Sequence, residues 1–264
     1  MLYKKTLIVS DKFHEFANRN NVLTKSGFYN LINSDNIIFP KSSKILLIPG
    51  QGFSEIEVND ILKSGLSSKN SHNFDFSLWY NIPKRASKTL THKHNVENIL
   101  ISEPKKVSSC EFDMDLLINE SCEMMNDHQT GLHIQGMLLI EAARQAYLAT
   151  MEKFYLQNQE QKNYFIFNGL NIEYNKFSFP LPSKIKLINE STDFSNKKKQ
   201  HTKSQIDILQ CGQVSASINM EVTIMTNKRV SSIENLFANK FLDEYINIAS
   251  EVEHNQLQAG QTHA

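Results

Sequence analysis

The sequence predicts an α+β chain, with an antiparallel sheet wrapped around one long apolar helix and a small α/β module in front of it. Three observations carry that expectation. Strand-like and helix-like patterns alternate over residues 1–80. Between residues 136 and 149, ten of fourteen side chains are apolar and they cover more than one stripe. Such a helix is enclosed on most sides. Beyond it lie several long segments rich in Ile, Phe and Val with partial period-two alternation, the pattern of strands that bury one face.

In the first module, residues 6–10 read as a short buried strand and residues 14–19 and 25–33 as helical. Residues 44–49 form a second buried-type strand, stopped by Pro49-Gly50 and Gly52. Ser54, with Glu57 three residues on, is a capping box that opens a helix to residue 64, with Val58, Ile61 and Leu62 at helical spacing. Residues 74–80 alternate and read as a third strand. Strands alternating with helices imply a parallel arrangement. The turn Pro49-Gly50-Gln51-Gly52 has two readings: a phosphate cradle at a strand-to-helix junction, or a tight turn that needs glycine.

Residues 81–92 carry Lys84, Arg85, Lys88 and His92, one proline and no apolar period, and read as a linker. The second unit spans 93–228, followed by a C-terminal helix and tail over 229–264. Strands are expected at 98–102 and 111–118, the apolar helix from about 134 to 156, and further strands at 164–174, 183–189, 205–209 and 214–225. Val214, Ala216, Ile218, Met220, Val222 and Ile224 share one face of the last strand. Residues 196–200, with Lys197, Lys198 and Lys199, read as a solvated hairpin loop. Residues 233–248 read as a helix, and the polar tail from Glu251 is expected to fray. Strands, one buried helix, then long antiparallel strands is the order of a hotdog fold. Its sheet keeps an open edge that a second copy would cover, so a homodimer is expected.

Twenty-eight basic and twenty-eight acidic residues give no net charge, so there is no global field for nucleic acid. Cys110, Cys122 and Cys211 form neither a CxxC pair nor an even framework and read as reduced thiols. The N-terminal apolar run is too short for a signal-peptide core, and no stretch reaches membrane-span length. The expected location is the cytoplasm.

Glu141 and Arg144 are the residues out of place. They stand three apart on one face of an apolar helix, where charges need partners or a function. Glu141 suits a general base that takes a proton from an acceptor hydroxyl. Arg144 suits a phosphate or a developing oxyanion. An ion pair that only fixes the helix is the alternative for both. Gln145 reads as a core hydrogen-bonder. Gly131 and Gly136 bracket a turn whose N–H groups suit a thioester carbonyl or a phosphate, or simply let the helix enter the sheet. Asp127 and His128 read as a cap or as a catalytic pair, and His133 as a weaker candidate of the same kind. His92, Lys93 and His94 line a site entrance or start a strand. Two histidines at i, i+2 without a third ligand predict no metal site. Cys110 and Cys122 lack a base at catalytic spacing, which argues against a thiol nucleophile.

The run from Thr91 to Ser102 (THKHNVENILIS), the pair Asp127-His128, and the string from Gly136 to Gln145 (GMLLIEAARQ) resemble the A-factor biosynthesis hotdog family. The likeness covers roughly residues 88–226 and continues more loosely through 167–182. It implies transfer of a β-ketoacyl group from a carrier-protein thioester to the hydroxyl of dihydroxyacetone phosphate. It places the family's glutamate and arginine on Glu141 and Arg144. The implied partners are an acyl carrier protein or acyl-coenzyme A and a small phosphorylated acceptor, with no cofactor beyond the pantetheine arm. The chain departs from the actinobacterial pattern of two tandem hotdogs, since it carries one hotdog and an unrelated α/β module. The helix region is also similar to that of β-hydroxyacyl carrier-protein dehydratases, with His128 thirteen residues before Glu141. Dehydration or hydrolysis of an acyl thioester, and non-catalytic acyl binding, are therefore the rival readings.

Overall fold

In the α/β module, β1 (Lys5–Val9), α1 (His14–Ala17), β2 (Val22–Thr24), α2 (Lys25–Asn33), β3 (Ile45–Pro49), α3 (Glu55–Ser67) and β4 (Phe74–Asp75) follow in order. The computed structural model describes residues 5–34, 44–127, 131–156, 163–193, 195–196 and 199–261, without the side chains of Asp127 and of residues 250–261. The strands pair in the order β2-β1-β3-β4, all parallel. Ser54 and Glu57 make the expected capping box at the start of α3. The strand expected over 74–80 stops at Asp75, because the Asp75 carboxylate accepts the Ser77 N–H and turns the chain. β2 has only three residues, too few to show a pattern, and was not expected.

The second unit contains α4 (Lys88–Thr91), β5 (Lys105–Lys106), β6 (Glu111–Leu116), α5 (Glu123–Asp127), α6 (Gly136–Phe154), β7 (Asn163–Tyr174), β8 (Ser183–Asp193), β9 (Gln200–Gln210) and β10 (Gln213–Thr226). One antiparallel sheet runs β5-β6-β8-β9-β10-β7. It packs around α6, eleven of whose nineteen residues are buried. This is the hotdog expected from the element order. Tyr147 sits at the centre of the core, its hydroxyl 2.5 Å from that of Thr202, and burial pushes its phenol well above the ordinary value. Ala216, Ile218, Met220, Val222 and Ile224 are buried as a face, whereas Val214 is displaced by a bulge between it and Ala216. Cys211 and Gly212, both at positive φ, form the tight β9–β10 turn. Lys199 is exposed in the β8–β9 hairpin, while Lys197 and Lys198 lie outside the described residues. After β10, α7 (Asn227–Gln261) is longer than expected in both directions, and its backbone stays helical through the polar tail.

Residues 98–102 are not a regular strand. Ile101 and Ser102 make single bridges to Leu116 and Arg85, and a short 3-10 turn covers Val96–Asn98. The reason is Gln145, whose side chain takes the Leu100 N–H and the Asn98 carbonyl that a neighbouring strand would have taken.

The two units share a core. Leu7 and Val9 of β1, with Phe13 and Phe16, pack among Leu138, Ala142 and Ile118 of the hotdog, while Ile8 faces the other way toward Phe28, Ile61 and Trp79. Alternate residues of one strand thus serve two cores, as strands covered on both faces do. The turn at residues 49–52 is the joint. Its N–H groups are taken by carbonyls: Gly50 by Ile8, Gln51 by Pro180 and Gly52 by Ile118. No donor is left for a phosphate, so the tight-turn reading holds. A Cβ at Gly50 would stand 2.7 Å from the Pro180 oxygen, and Gly52 sits at φ +108 against Ser10. Between the units, the segment at residues 81–92 runs through the Arg85 bridge and α4.

Candidate functional site

Most of α6 is buried, but one stripe comes out. Met137 is exposed, and Ile140, Glu141 and Arg144 are partly so, at the i, i+3, i+4, i+7 spacing of one helix face. The expectation of charges enclosed in hydrocarbon is corrected here. The Glu141 side chain is 17% exposed and that of Arg144 36%.

Nor is the pair closed on itself. Glu141 Oε1 accepts three donors: Lys93 Nζ at 2.7 Å, Gln145 Nε2 at 3.1 Å and Arg144 Nη1 at 3.3 Å. Its other oxygen, Oε2, receives no donor among the described residues. One carboxylate faces two cations, so the cluster carries a net positive charge. The Arg144 guanidinium lies 5.8 Å from the centre of the Phe167 ring and makes its only described hydrogen bond, a long one, to Glu141. The remaining donors of its fork have no partner among the described residues, and the side chain is partly exposed, as a site for an anion requires.

A relay of main-chain bonds holds the cluster. Gln145 is fully buried, and its amide accepts from Leu100 N–H at 2.8 Å and donates to the Asn98 carbonyl at 2.8 Å and to Glu141. Leu117 N–H in turn donates to the Leu100 carbonyl. Arg85 donates to the carbonyls of Leu117, Ile99 and Phe53. Burial pulls the Arg85 pKa down to about 10, which leaves it charged at neutral pH.

The other candidates are dispersed. His92, at φ +53 after α4, pairs with Glu152 at 3.0 Å, three turns along α6 from Glu141. His94 is exposed in the bend that follows. His133 packs its ring against Phe177. Gly131, at φ +69, packs on α1, and its carbonyl accepts the Phe16 N–H; a Cβ there would meet Glu15 and His14. It serves the joint between the units. Gly136 lies under the Tyr174 ring, 2.6 Å from the hydroxyl to a built Cβ, which explains glycine at that helix start. The Asp127 side chain and all of His128 lie outside the described residues. Cys122 is buried and its thiol pushed up by that burial, so it is no nucleophile. Among the described residues, no three His, Cys, Asp or Glu side chains are grouped to hold a metal ion.

Sequence reasoning placed Lys93 only near an entrance. The structure makes it the shortest contact of Glu141. Its neighbours His92 and His94 drew attention by residue type, but the αL turn at His92 sends successive side chains in different directions.

A sheet wrapped on a helix, with a carboxylate and one cation on that helix's open stripe and a second cation reaching in from the segment after α4, defines a hotdog protein with a polar surface site. The family model "A-factor biosynthesis hotdog domain" matches residues 79–226, more than half of the chain, and the protein belongs to that family. Among curated proteins, none matches the chain in sequence. Among solved structures it is similar to the dehydratase heterocomplex ApeI:P from Xenorhabdus doucetiae, at 14% identity and a TM-score of 0.42 over 54% of this chain and 93% of that one. It is also similar to a mutant thioesterase from Pseudomonas aeruginosa, at 9% identity and a TM-score of 0.35 over 48% and 81%. Among the described residues, no helix is long and apolar enough to cross a membrane.

Proposed function

We propose that this protein transfers a β-ketoacyl group from a thioester to the hydroxyl of a small phosphorylated hydroxyketone. The observation that carries the reading is the unequal use of the Glu141 oxygens. Three donors fix Oε1, and Oε2, without a donor among the described residues, is open to a ligand. In the reaction, Oε2 accepts the proton of the acceptor hydroxyl as its oxygen attacks the thioester carbon. The C–O bond forms, the C–S bond breaks, and the proton passes to the departing thiolate. Arg144 and Lys93 hold the acceptor's phosphate and offset charge on the carbonyl oxygen.

The acyl donor is a carrier protein or coenzyme A, and the pantetheine arm is the only cofactor needed. The cytoplasm supplies both substrates. A second copy covers the open edge at β7, where Tyr164, Leu170 and Tyr174 are exposed. That edge adjoins Phe167 under Arg144, so pairing there would enclose the exposed stripe of α6.

The test is product analysis with a β-ketoacyl thioester, with and without dihydroxyacetone phosphate. An ester formed only with the acceptor, and lost in Glu141→Gln, is the expected result. Water loss or hydrolysis that ignores the acceptor overturns the transfer reading. Full turnover by Glu141→Gln overturns the base.

A further inference from the structure

A cavity of about 520 Å³ lies away from Glu141, between α3 and the turn after β4 on one side and the end of β6 on the other. Its volume is in the range of small-molecule sites. It opens at the carboxyl end of the parallel sheet, where such sheets place their ligands. The central crevice between β1 and β3 is filled by the Gln51 joint, so the open space is displaced toward α3.

The walls decide the chemistry of the occupant. Phe53, Val58, Leu62 and Trp79 line it, and Leu78 and Tyr80 are exposed where it also includes their turn. An apolar body fits these surfaces. The charges around it balance: Glu55 and Asp115 against Lys84 and Arg85. Asp115 is paired with Lys184, and Arg85 is engaged by three carbonyls. A charged head group therefore finds no net field. One polar atom behind the wall is left over. Trp79 is 1% exposed and its indole Nε1 has no hydrogen-bond partner among the described residues. That nitrogen has almost no accessible surface, so an occupant of the cavity meets the ring and not the N–H.

We infer that this cavity binds a small neutral apolar molecule, with its chain on Phe53, Val58 and Leu62. The site is built by both units, because Leu117 and Ile118 of the hotdog line it beside α3. Arg85 and Leu117 also belong to the relay that ends on Gln145, so the ligand touches residues continuous with the Glu141 cluster. The inference stands on the cavity alone and does not require acyl transfer.

Trp79 is the chain's single tryptophan and reports directly on the wall. Titrating the full chain with 2-octanone is expected to change its emission saturably and to raise Tm. Val58→Phe and Leu62→Phe, which fill the cavity, are each expected to weaken binding at least tenfold while the helical circular dichroism is kept. Octanoate, which carries a charge, is expected to bind at least tenfold more weakly than 2-octanone. No saturable change, or undiminished binding by whichever filled variants fold, overturns the site. Equal binding of octanoate, or preference for it, overturns the neutral class. None of these readouts uses turnover, so they fail or succeed separately from the acyl-transfer assay.

Discussion

Gln51 and Gln145 are buried amides that clamp backbone in two parts of the molecule. Gln51 donates to the Leu116 and Leu181 carbonyls and accepts the Ile118 N–H. Every partner is neutral main chain, so the knot is closed and its effect is to weld the α/β module to the hotdog. Gln145 likewise takes one N–H and one carbonyl, but passes its other donor to a carboxylate that also meets two cations and partial solvent. The same side-chain chemistry gives a structural rivet in one place and a support for a reactive group in the other. The difference lies in whether the last partner is a satisfied carbonyl or a charged oxygen with a lone pair still open.

The sharpest way to separate the two is to remove the charge at one and the amide at the other. Glu141→Gln keeps shape and is expected to lower acyl transfer about 10³-fold, within the usual range for a lost general base, with a Tm within about 2 °C of wild type. A variant that unfolds would assign Glu141 to the scaffold. Gln51→Ala is expected to do the reverse. It strands three buried backbone groups and should cost about 3 kcal/mol in urea unfolding, with kcat unchanged in the fraction that remains folded. A loss under about 1 kcal/mol would show that the joint does not hold the units together. Gln145→Leu should fall between them, at about 2 kcal/mol of stability and roughly a tenfold lower kcat from a carboxylate that has lost a positioning bond. Stability lost with no change in kcat would make it a second Gln51.

The smallest effect concerns a third polar knot. Lys25 bridges Glu57 at 2.5 Å and Glu120 at 3.0 Å, tying α2 and α3 to the segment before α5. Burial alone would raise the Glu57 pKa, but bonds from Lys25 and from Ser54 outweigh it and hold it below the ordinary value. A depressed folded pKa contributes stability that is complete above the unfolded value, near 4.3, and is lost as pH falls through the folded value. Glu57→Gln should therefore flatten the acid limb of the stability curve below about pH 4.3, by about 1 kcal/mol or less. Parallel curves for wild type and variant in urea titrations between pH 3 and 7 would remove Glu57 from the acid response.

Residue pattern made much of this legible. The periods of 3.6 and 2 gave α6, β3, β7 and β10 nearly to the residue, because α6 and β10 bury a continuous face and β3 and β7 pack alternate apolar residues on the core. The Ser54–Glu57 box fixed the start of α3 through bonds that close within four residues. Glu141 and Arg144 stood out because charge is costly on an apolar helix. Where residues answer to distant partners, the pattern fell silent. Nothing local in residues 98–102 says that Gln145 will take the Leu100 N–H in place of a strand.

By itself the sequence determined the two kinds of sheet, the enclosed helix and the pair of charges upon it, since these follow from periodicity and local bonding. Only the tertiary structure decided that Lys93 is the closest partner of Glu141, that the α6 stripe carrying Glu141 and Arg144 opens to solvent, and that a glycine turn is a joint. Those facts depend on contacts between residues tens of positions apart. Such contacts are set by how the packed faces meet, and no short window of residues encodes that.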